Sequence, residues 1–351
     1  FILDEVEVQR GGCPRWRLGL GAEALAKALD RAGSRLIFRQ GTALEVLREV
    51  LAETGADAVH WTRAYDPEAI ARDTAVKAGL KAGGIDAQSF PGHLLFEPWD
   101  AETKTGGFYK VYSPFWRAVH ARDIAAPQPA PGRIAAPTTW PRSDDPAKWR
   151  LAAAMNRGVD VVRPHLNPGE AGAGDRLARF IENRIATYGA RRDFPGEPAT
   201  SHLSENLAYG EISPRTVWHA GIRAREEGKA GAEKFLKELV WREFAYHLTY
   251  HSPHITTSNW REGWDAFPWN EDPARPEVIA WTRGRTGIRF VDAAMREMYV
   301  TGQMHNRARM IVASYLTKHL MTHWRIGQAW FADCLADWDP ASNAMGWQWA
   351  A

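Results

Sequence analysis

Four short clusters in this 351-residue chain carry side chains of the kind that do chemistry. Thr200-Ser201-His202-Leu203-Ser204 is hydroxyl-rich and precedes a helical pattern. Backbone N–H groups and the macrodipole at a helix start favour anions, so the run reads as a phosphate cradle, or more plainly as an N-cap. On the helical stretch 233–247, Glu238, Trp241, Arg242 and Ala245 share one face at i, i+3, i+4 and i+7. A carboxylate, an indole and a guanidinium beside a small Ala make a poor core stripe and a good wall for a flat polar ligand. Taken alone, they would be a solvated face with an ion pair. In Met304-His305-Asn306-Arg307-Ala308-Arg309-Met310, Asn306 and Met310 share a face with Arg309 one position round, after a break at Gly302. Asp337-Trp338-Asp339 sets two carboxylates two apart, which a turn can aim one way. Too few ligands surround them for a metal. The expected partners are an Arg for one and a ligand bearing hydroxyl or amide groups for the other.

Around these clusters the chain is dense in tryptophan. Ten of its 17 indoles fall between Trp241 and Trp349. Indole fills core, needs a partner for its N–H when buried, stacks on flat rings, and is the side chain most easily oxidised by one electron. Any single Trp is best read as packing. The whole field, beside Asn, Asp and Arg, suits a protein that holds a planar redox ring, stacks bases, or does both.

The elements that must position these groups change character along the chain. Short apolar strands near 34–39, 56–61 and 85–90 alternate with helical patterns in the first third. Thr42 and Glu45 have capping-box spacing, and Asp66-Pro67 reads as an N-cap followed by Pro at the first helical position. Such alternation implies βαβ units, a parallel sheet and a Rossmann-like α/β domain over 1–124, although no GxGxxG fingerprint follows a strand. Residues 125–146 are rich in Ala and Pro and form an extended linker. Strand signals then vanish. Helical periodicity over 175–188, 214–226, 233–247, 290–299 and 304–319 makes 147–351 an all-helical domain. A net charge of +2 gives no global nucleic-acid signature, so DNA contact would come from a local basic surface. Cys13 and Cys334 fit no metal spacing and read as free thiols of a reducing cytosol. No apolar run reaches membrane-spanning length.

Four segments together resemble the flavin-domain signatures of the DNA photolyase/cryptochrome family. They are Leu239-Val240-Trp241-Arg242-Glu243-Phe244, the run Thr286 to Arg296, Met304-His305-Asn306-Arg307, and Asn343-Ala344-Met345-Gly346-Trp347-Gln348-Trp349. The likeness covers the whole chain and is strongest to bacterial class I enzymes for cyclobutane pyrimidine dimers. It implies an N-terminal antenna domain and a C-terminal helical domain that binds FAD. By that resemblance Tyr188, Thr200, Ser201, Leu203 and Ser204 would hold the phosphates and adenosine part. Phe235, Glu238, Arg242, Asn306, Arg309, Asp337, Asp339 and Asn343 would line the remainder. Asn343 would face flavin N5, and Arg309 with Asp337 would form a charge pair beside the isoalloxazine.

The resemblance also implies light-driven repair of cyclobutane dimers in DNA by electron transfer from reduced FAD to a flipped-out lesion. Trp347, Trp324 and Trp269 match an electron-transfer series running from the flavin to the surface. Trp241 and Trp349 match the aromatics flanking the lesion. Glu238 would hydrogen-bond the base edges as a catalytic group. Asn306 and Met310 would touch the dimer, and Arg192 and Arg307 would contact the flanking phosphates. The (6-4) enzymes carry two histidines near these positions. His305 precedes Asn306, but neither facing position is histidine, which argues for the cyclobutane lesion.

A second antenna chromophore, of folate or deazaflavin type, is implied without its identity. Folate-type relatives have Asn-Glu after a Tyr, whereas here Tyr65 is followed by Asp66-Pro67-Glu68. The rival readings are a cryptochrome-like blue-light photoreceptor and a single-strand DNA-binding module built on aromatic platforms. The chain is expected to be a cytoplasmic monomer. Its start at Phe1 and its end just after Trp349 read as a piece of a longer protein.

Overall fold

The computed structural model describes all 351 residues. Two parallel strand pairs begin the fold. β1 (Ile2–Leu3) is followed by the helix α1 (Gly12–Arg31) and pairs with β2 (Arg39–Gln40). After α2 (Ala43–Thr54), β3 (Ala58–Thr62) crosses through α3 (Pro67–Ala82) to pair with β4 (Asp86–Phe90). Parallel pairing demands such crossover helices, and the expected βαβ logic is present. The strands form two two-stranded sheets rather than one continuous sheet. The strand read at 34–39 contracts to its last residue plus Gln40, because residues 34–38 form no ladder.

Local caps decide the helix starts. Asp66 accepts from the Ala69 N–H at 3.0 Å, with Pro67 opening α3 as its spacing predicts. The capping box at Thr42 does not form: its side chain makes no cap bond, and the Ala43 N–H donates instead to Glu5 at 2.9 Å. A carboxylate brought in from β1's flank thus replaces the local device. The Ala/Pro-rich linker is pinned rather than free. The Ile134 and Asp144 N–H groups donate to the Ala32 and Phe38 carbonyls at 2.9 and 2.7 Å.

Beyond Pro146 the regular elements are all helices, with one isolated bridge between Asn270 and Thr322. The longest is Ala232–His251, packed against Pro214–Glu226 and Pro340–Ala350. Arg289–Thr301 is closed by Gly302 at φ 71°, a left-handed cap that a β-carbon would strain. Asn306–Ser314 continues as a π-turn through His319, and Trp324–Cys334 follows.

The larger core cluster joins the two halves. Phe115 and Val119, from α4 (Tyr112–Val119), pack with Leu239, Val240 and Phe244 of the Ala232–His251 helix. A second cluster, with Trp281 and Trp324 fully buried, holds the Arg289–Thr301, Asn306–Ser314, Trp324–Cys334 and Pro340–Ala350 helices together. Elements carrying three of the four chemical clusters are therefore fixed by packing against one another.

Candidate functional site

Those helices surround a cavity of about 540 Å³, within the usual range for small-molecule sites. One end is the loop 195–204, which contributes Thr200, Ser201, Leu203 and Ser204. The Asn306–Ser314 helix supplies Asn306, Arg309, Met310 and Ala313. The Asp337 turn and the Pro340–Ala350 helix supply Asp337, Ser342, Asn343, Gly346 and Trp347. Three separate sequence clusters thus meet at one concavity.

Hydrogen bonds set what each group can offer. Arg309 Nη2 donates to both carboxylate oxygens of buried Asp337, and its Nε donates to the Met304 carbonyl at 2.9 Å. Asn343 Nδ2 donates to the Asp339 carbonyl one turn back at 2.9 Å, which leaves the amide oxygen as its uncommitted end. Asp339 caps this helix by accepting from the Ser342 N–H at 2.6 Å and also accepts from the Tyr246 hydroxyl. The two acidic residues of the turn therefore diverge. Asp337 faces the cavity, while Asp339 is a helix cap outside its lining.

Other expected cofactor contacts are likewise absent from the cavity wall. Phe235 is core, 4.7 Å from the Phe180 ring centroid and 5.8 Å from that of Tyr188. Tyr188 packs edge-on to both rings, and its hydroxyl meets Arg192 at 3.3 Å. Arg242 turns away, toward the N-terminal half, and donates to the His93 carbonyl at 2.9 Å and His93 Nε2 at 2.7 Å. Helical spacing does place Glu238, Trp241 and Arg242 on one side of their helix. Trp241 and Arg242 on that side meet Tyr112 and His93 of the N-terminal half, and none of the three lines the cavity.

The residues that the resemblance gives to the lesion are held as follows. Glu238 is held by Arg192 and by Lys234, the latter at 2.8 Å. Arg192 is 6% exposed and committed to Glu238, so it does not present a free cation to a phosphate, contrary to the sequence reading. Arg307 is more open and pairs with Asp193 at 2.9 Å. Trp241 stacks face to face on Tyr112, with centroids 3.7 Å apart and planes at 8°, and meets Trp349 edge-on at 6.2 Å. Trp349 is 69% exposed.

From the cavity wall, the tryptophans run outward. Trp347 is buried against Gly327, where a β-carbon would lie 2.1 Å from its Cη2. Trp324, one turn before Gly327 on the same helix, is fully buried and donates from its indole N–H to Asn259 at 2.8 Å. The His323 ring lies 5.5 Å from Trp324 and 5.6 Å from half-buried Trp269. Trp347 and Trp324 are both buried, and only Trp269 reaches toward the surface. His323 went unread, since a neighbouring imidazole has no sequence signal distinct from the cap it also forms on Arg325 N–H.

Sequence reasoning also missed Ser342, Gly346, Glu205 and Glu297 in the lining. Ser342 was findable, because it sits three residues past the Asp339 cap. The helix after the hydroxyl loop is only Ser204–Ala208, too short for the macrodipole expected there. Hydroxyls and loop backbone remain as the anion-facing groups.

A hydroxyl-lined end, an Arg–Asp pair, an amide oxygen and a flat indole wall fit a ligand that joins phosphates to a planar heteroaromatic ring. The class so defined is a flavin-nucleotide protein with a small α/β domain in front of it. A family model described as the FAD binding domain of DNA photolyase matches residues 235–351, and one described as DNA photolyase matches 1–132. The deoxyribodipyrimidine photo-lyase of Agrobacterium fabrum is 46% identical, over 100% of this chain and 73% of that protein. Cryptochrome-2 of Arabidopsis thaliana is 31% identical, over 99% of this chain and 58% of that protein. Among solved structures, a class III photolyase from Agrobacterium tumefaciens superposes with a TM-score of 0.91 at 45% identity, covering 97% of this chain and 70% of that one. The chain belongs to the DNA photolyase/cryptochrome family. The motifs resemble class I enzymes, whereas this structural relative is described as class III.

Proposed function

We propose that the chain repairs cyclobutane pyrimidine dimers in DNA with light, as a deoxyribodipyrimidine photo-lyase. The observation that carries this reading is that one helix turn brings Asn306 and Met310, the expected lesion contacts, to the same cavity as Arg309, Asp337 and Asn343. A ring held by the second group would lie against a base touching the first. The 46% identity to a photo-lyase, against 31% to a cryptochrome, supports repair over signalling.

FAD held there would supply light-driven one-electron chemistry to the dimer, a carbon–carbon lyase reaction without net redox change. The protein's own groups do the positioning. Thr200, Ser201 and Ser204 offer hydroxyls to the phosphates. Arg309 with Asp337 orients the ring edge, and Asn343 presents its amide oxygen. The target bases must leave the duplex, which costs least for a poorly stacked lesion. Trp349 and the uncovered side of Trp241 give them platforms, at about 1–3 kcal/mol per stacked base. Glu238 reaches a base edge by exchanging Lys234 or by using its remaining acceptor capacity. Trp347, Trp324 and Trp269 would carry electrons from the surface toward the cavity.

No helix is long and apolar enough to cross a membrane. Cys13 and Cys334 are both buried free thiols, which supports a reducing compartment, and we place the protein in the cytoplasm as a monomer. An antenna chromophore belongs to the proposal without a chemical identity.

The test is illumination of the chemically reduced holoprotein with dimer-containing oligothymidine, following the return of ultraviolet base absorbance. Recovery that depends on light is expected. Protein that carries reduced FAD and recovers no absorbance would refute repair, and with photoreduction intact would favour the photoreceptor reading.

A further inference from the structure

Glu205 poses a problem for the cavity. It lines the same wall as the hydroxyls expected to meet a pyrophosphate, and a bare carboxylate there would repel it. The structure answers with a residue of the N-terminal helix. Arg17, with none of its surface exposed, donates from Nε to Glu205 at 2.6 Å and from Nη1 and Nη2 to the two oxygens of Glu211 at 2.9 and 2.6 Å. Arg176 donates to the other Glu205 oxygen at 2.7 Å and to the His202 carbonyl at 3.2 Å. The cluster balances two guanidinium groups against two carboxylates, and every Arg17 nitrogen has a partner. His202 adopts φ 54°, a left-handed conformation unusual for a residue with a β-carbon, and its carbonyl is tied into the same cluster.

We propose that Arg17 is a positioning residue of the cofactor site: together with Arg176, which also holds the His202 carbonyl, it neutralises and fixes Glu205 at the end of the 200–204 loop, so that the cavity accepts phosphates. The inference rests on the reading of this cavity as the flavin-nucleotide site. It assigns to the N-terminal half a part in cofactor retention through α1. Charge-assisted bonds of this kind are the strong ones, and a fork matched to two carboxylates is not reproduced by lysine.

The experiment titrates apoprotein with FAD and, separately, with riboflavin, which has no phosphate. Arg17→Lys should weaken FAD binding by about tenfold or more while changing riboflavin binding by less than about twofold. Adding Glu205→Gln to that variant should restore FAD affinity. Equal losses for both ligands would mean that Arg17 acts only through the fold, and no loss would remove it from the site; either overturns the proposal. Glu205→Gln alone is a second variant that does not depend on Arg17→Lys folding. It leaves one guanidinium of the balanced cluster in excess, so its FAD affinity should rise by about threefold or more, and an unchanged or weaker affinity would contradict the assignment. Arg309→Ala separates the two levels. If it leaves FAD binding untouched, the cavity itself has been misread. If it abolishes binding while Arg17→Lys does not, only the present inference fails.

Discussion

Arg309 reaches both carboxylate oxygens of Asp337 from a single terminal nitrogen, at 2.8 and 2.7 Å, on the wall of the 540 Å³ cavity. The pair is net neutral, so whatever ring sits against it feels a dipole rather than a charge. Asp337→Asn leaves the guanidinium positive with one acceptor still in reach. Added positive charge stabilises a reduced, electron-rich flavin more than an oxidised one. The reduction potential of bound FAD should therefore rise by about 30 mV or more, equivalent to about 1.4 kcal/mol for a two-electron couple. Redox titration of the holoprotein checks it, and an unmoved potential would place the pair away from the ring.

Gly327 is where the Trp324–Cys334 helix makes room for the edge of the Trp347 ring. A methyl there would sit 2.1 Å from Trp347 Cη2 and 2.6 Å from Leu316 Cδ2, both in a tightly packed cluster. Gly327→Ala should cost about 1–3 kcal/mol by overpacking, despite the better helix propensity of Ala. It should also push the indole off the cavity wall and slow light-driven reduction of bound oxidised FAD. A variant that melts with the parent would show that the helix shifts freely and that the indole is not held there.

Trp269 ends the buried series at the surface, with the His323 ring between it and Trp324. Trp269→Phe removes the oxidisable ring while keeping most of the packing. Photoreduction by an external donor should be lost, whereas repair by chemically reduced protein should proceed as in the parent. If photoreduction continues at the parent's rate, electrons enter by another route.

The local parts of this site were readable from spacing, and the long-range parts were not. Asn306, Arg309 and Met310 fall together because a helix repeats every 3.6 residues, and the Asp66–Pro67 start and the 214–226 helix follow from equally local chemistry. Arg242 and Phe235 are different. Their helix periodicity was right, but what faces them comes from His93 and Phe180, remote in the chain. Arg17 is the extreme instance. In sequence nothing singles it out, and arginine is a residue type expected in solvent. Only the fold brings Glu205 and Glu211 to it and makes burial tolerable. The failed capping box at Thr42 has the same cause, since Glu5 arrives from outside the window in which such signals are read.

His247 ties the long Ala232–His251 helix to the N-terminal half and makes that tie sensitive to acid. Its Nε2 accepts from the Tyr109 N–H at 3.0 Å, which requires that nitrogen to be unprotonated, and its Nδ1 donates to the Pro98 carbonyl at 2.9 Å. Burial, reinforced by the neighbouring His251, lowers its pKa from the ordinary 6.5 to about 4. In the unfolded chain the imidazole takes up a proton near 6.5, whereas the folded chain resists until about 4. Protons in that window therefore favour unfolding. The stability contributed by the neutral ring is fully present above 6.5 and is lost as pH falls toward 4. At about 1.4 kcal/mol per pH unit, the loss comes to roughly 3 kcal/mol. Melting temperatures measured between pH 8 and pH 4 should fall on the acid side for the parent. His247→Gln should start lower at pH 8, because it cannot serve both partners at the same spacing, yet show a flatter acid limb. Parallel curves for the two proteins would assign the acid sensitivity to other groups.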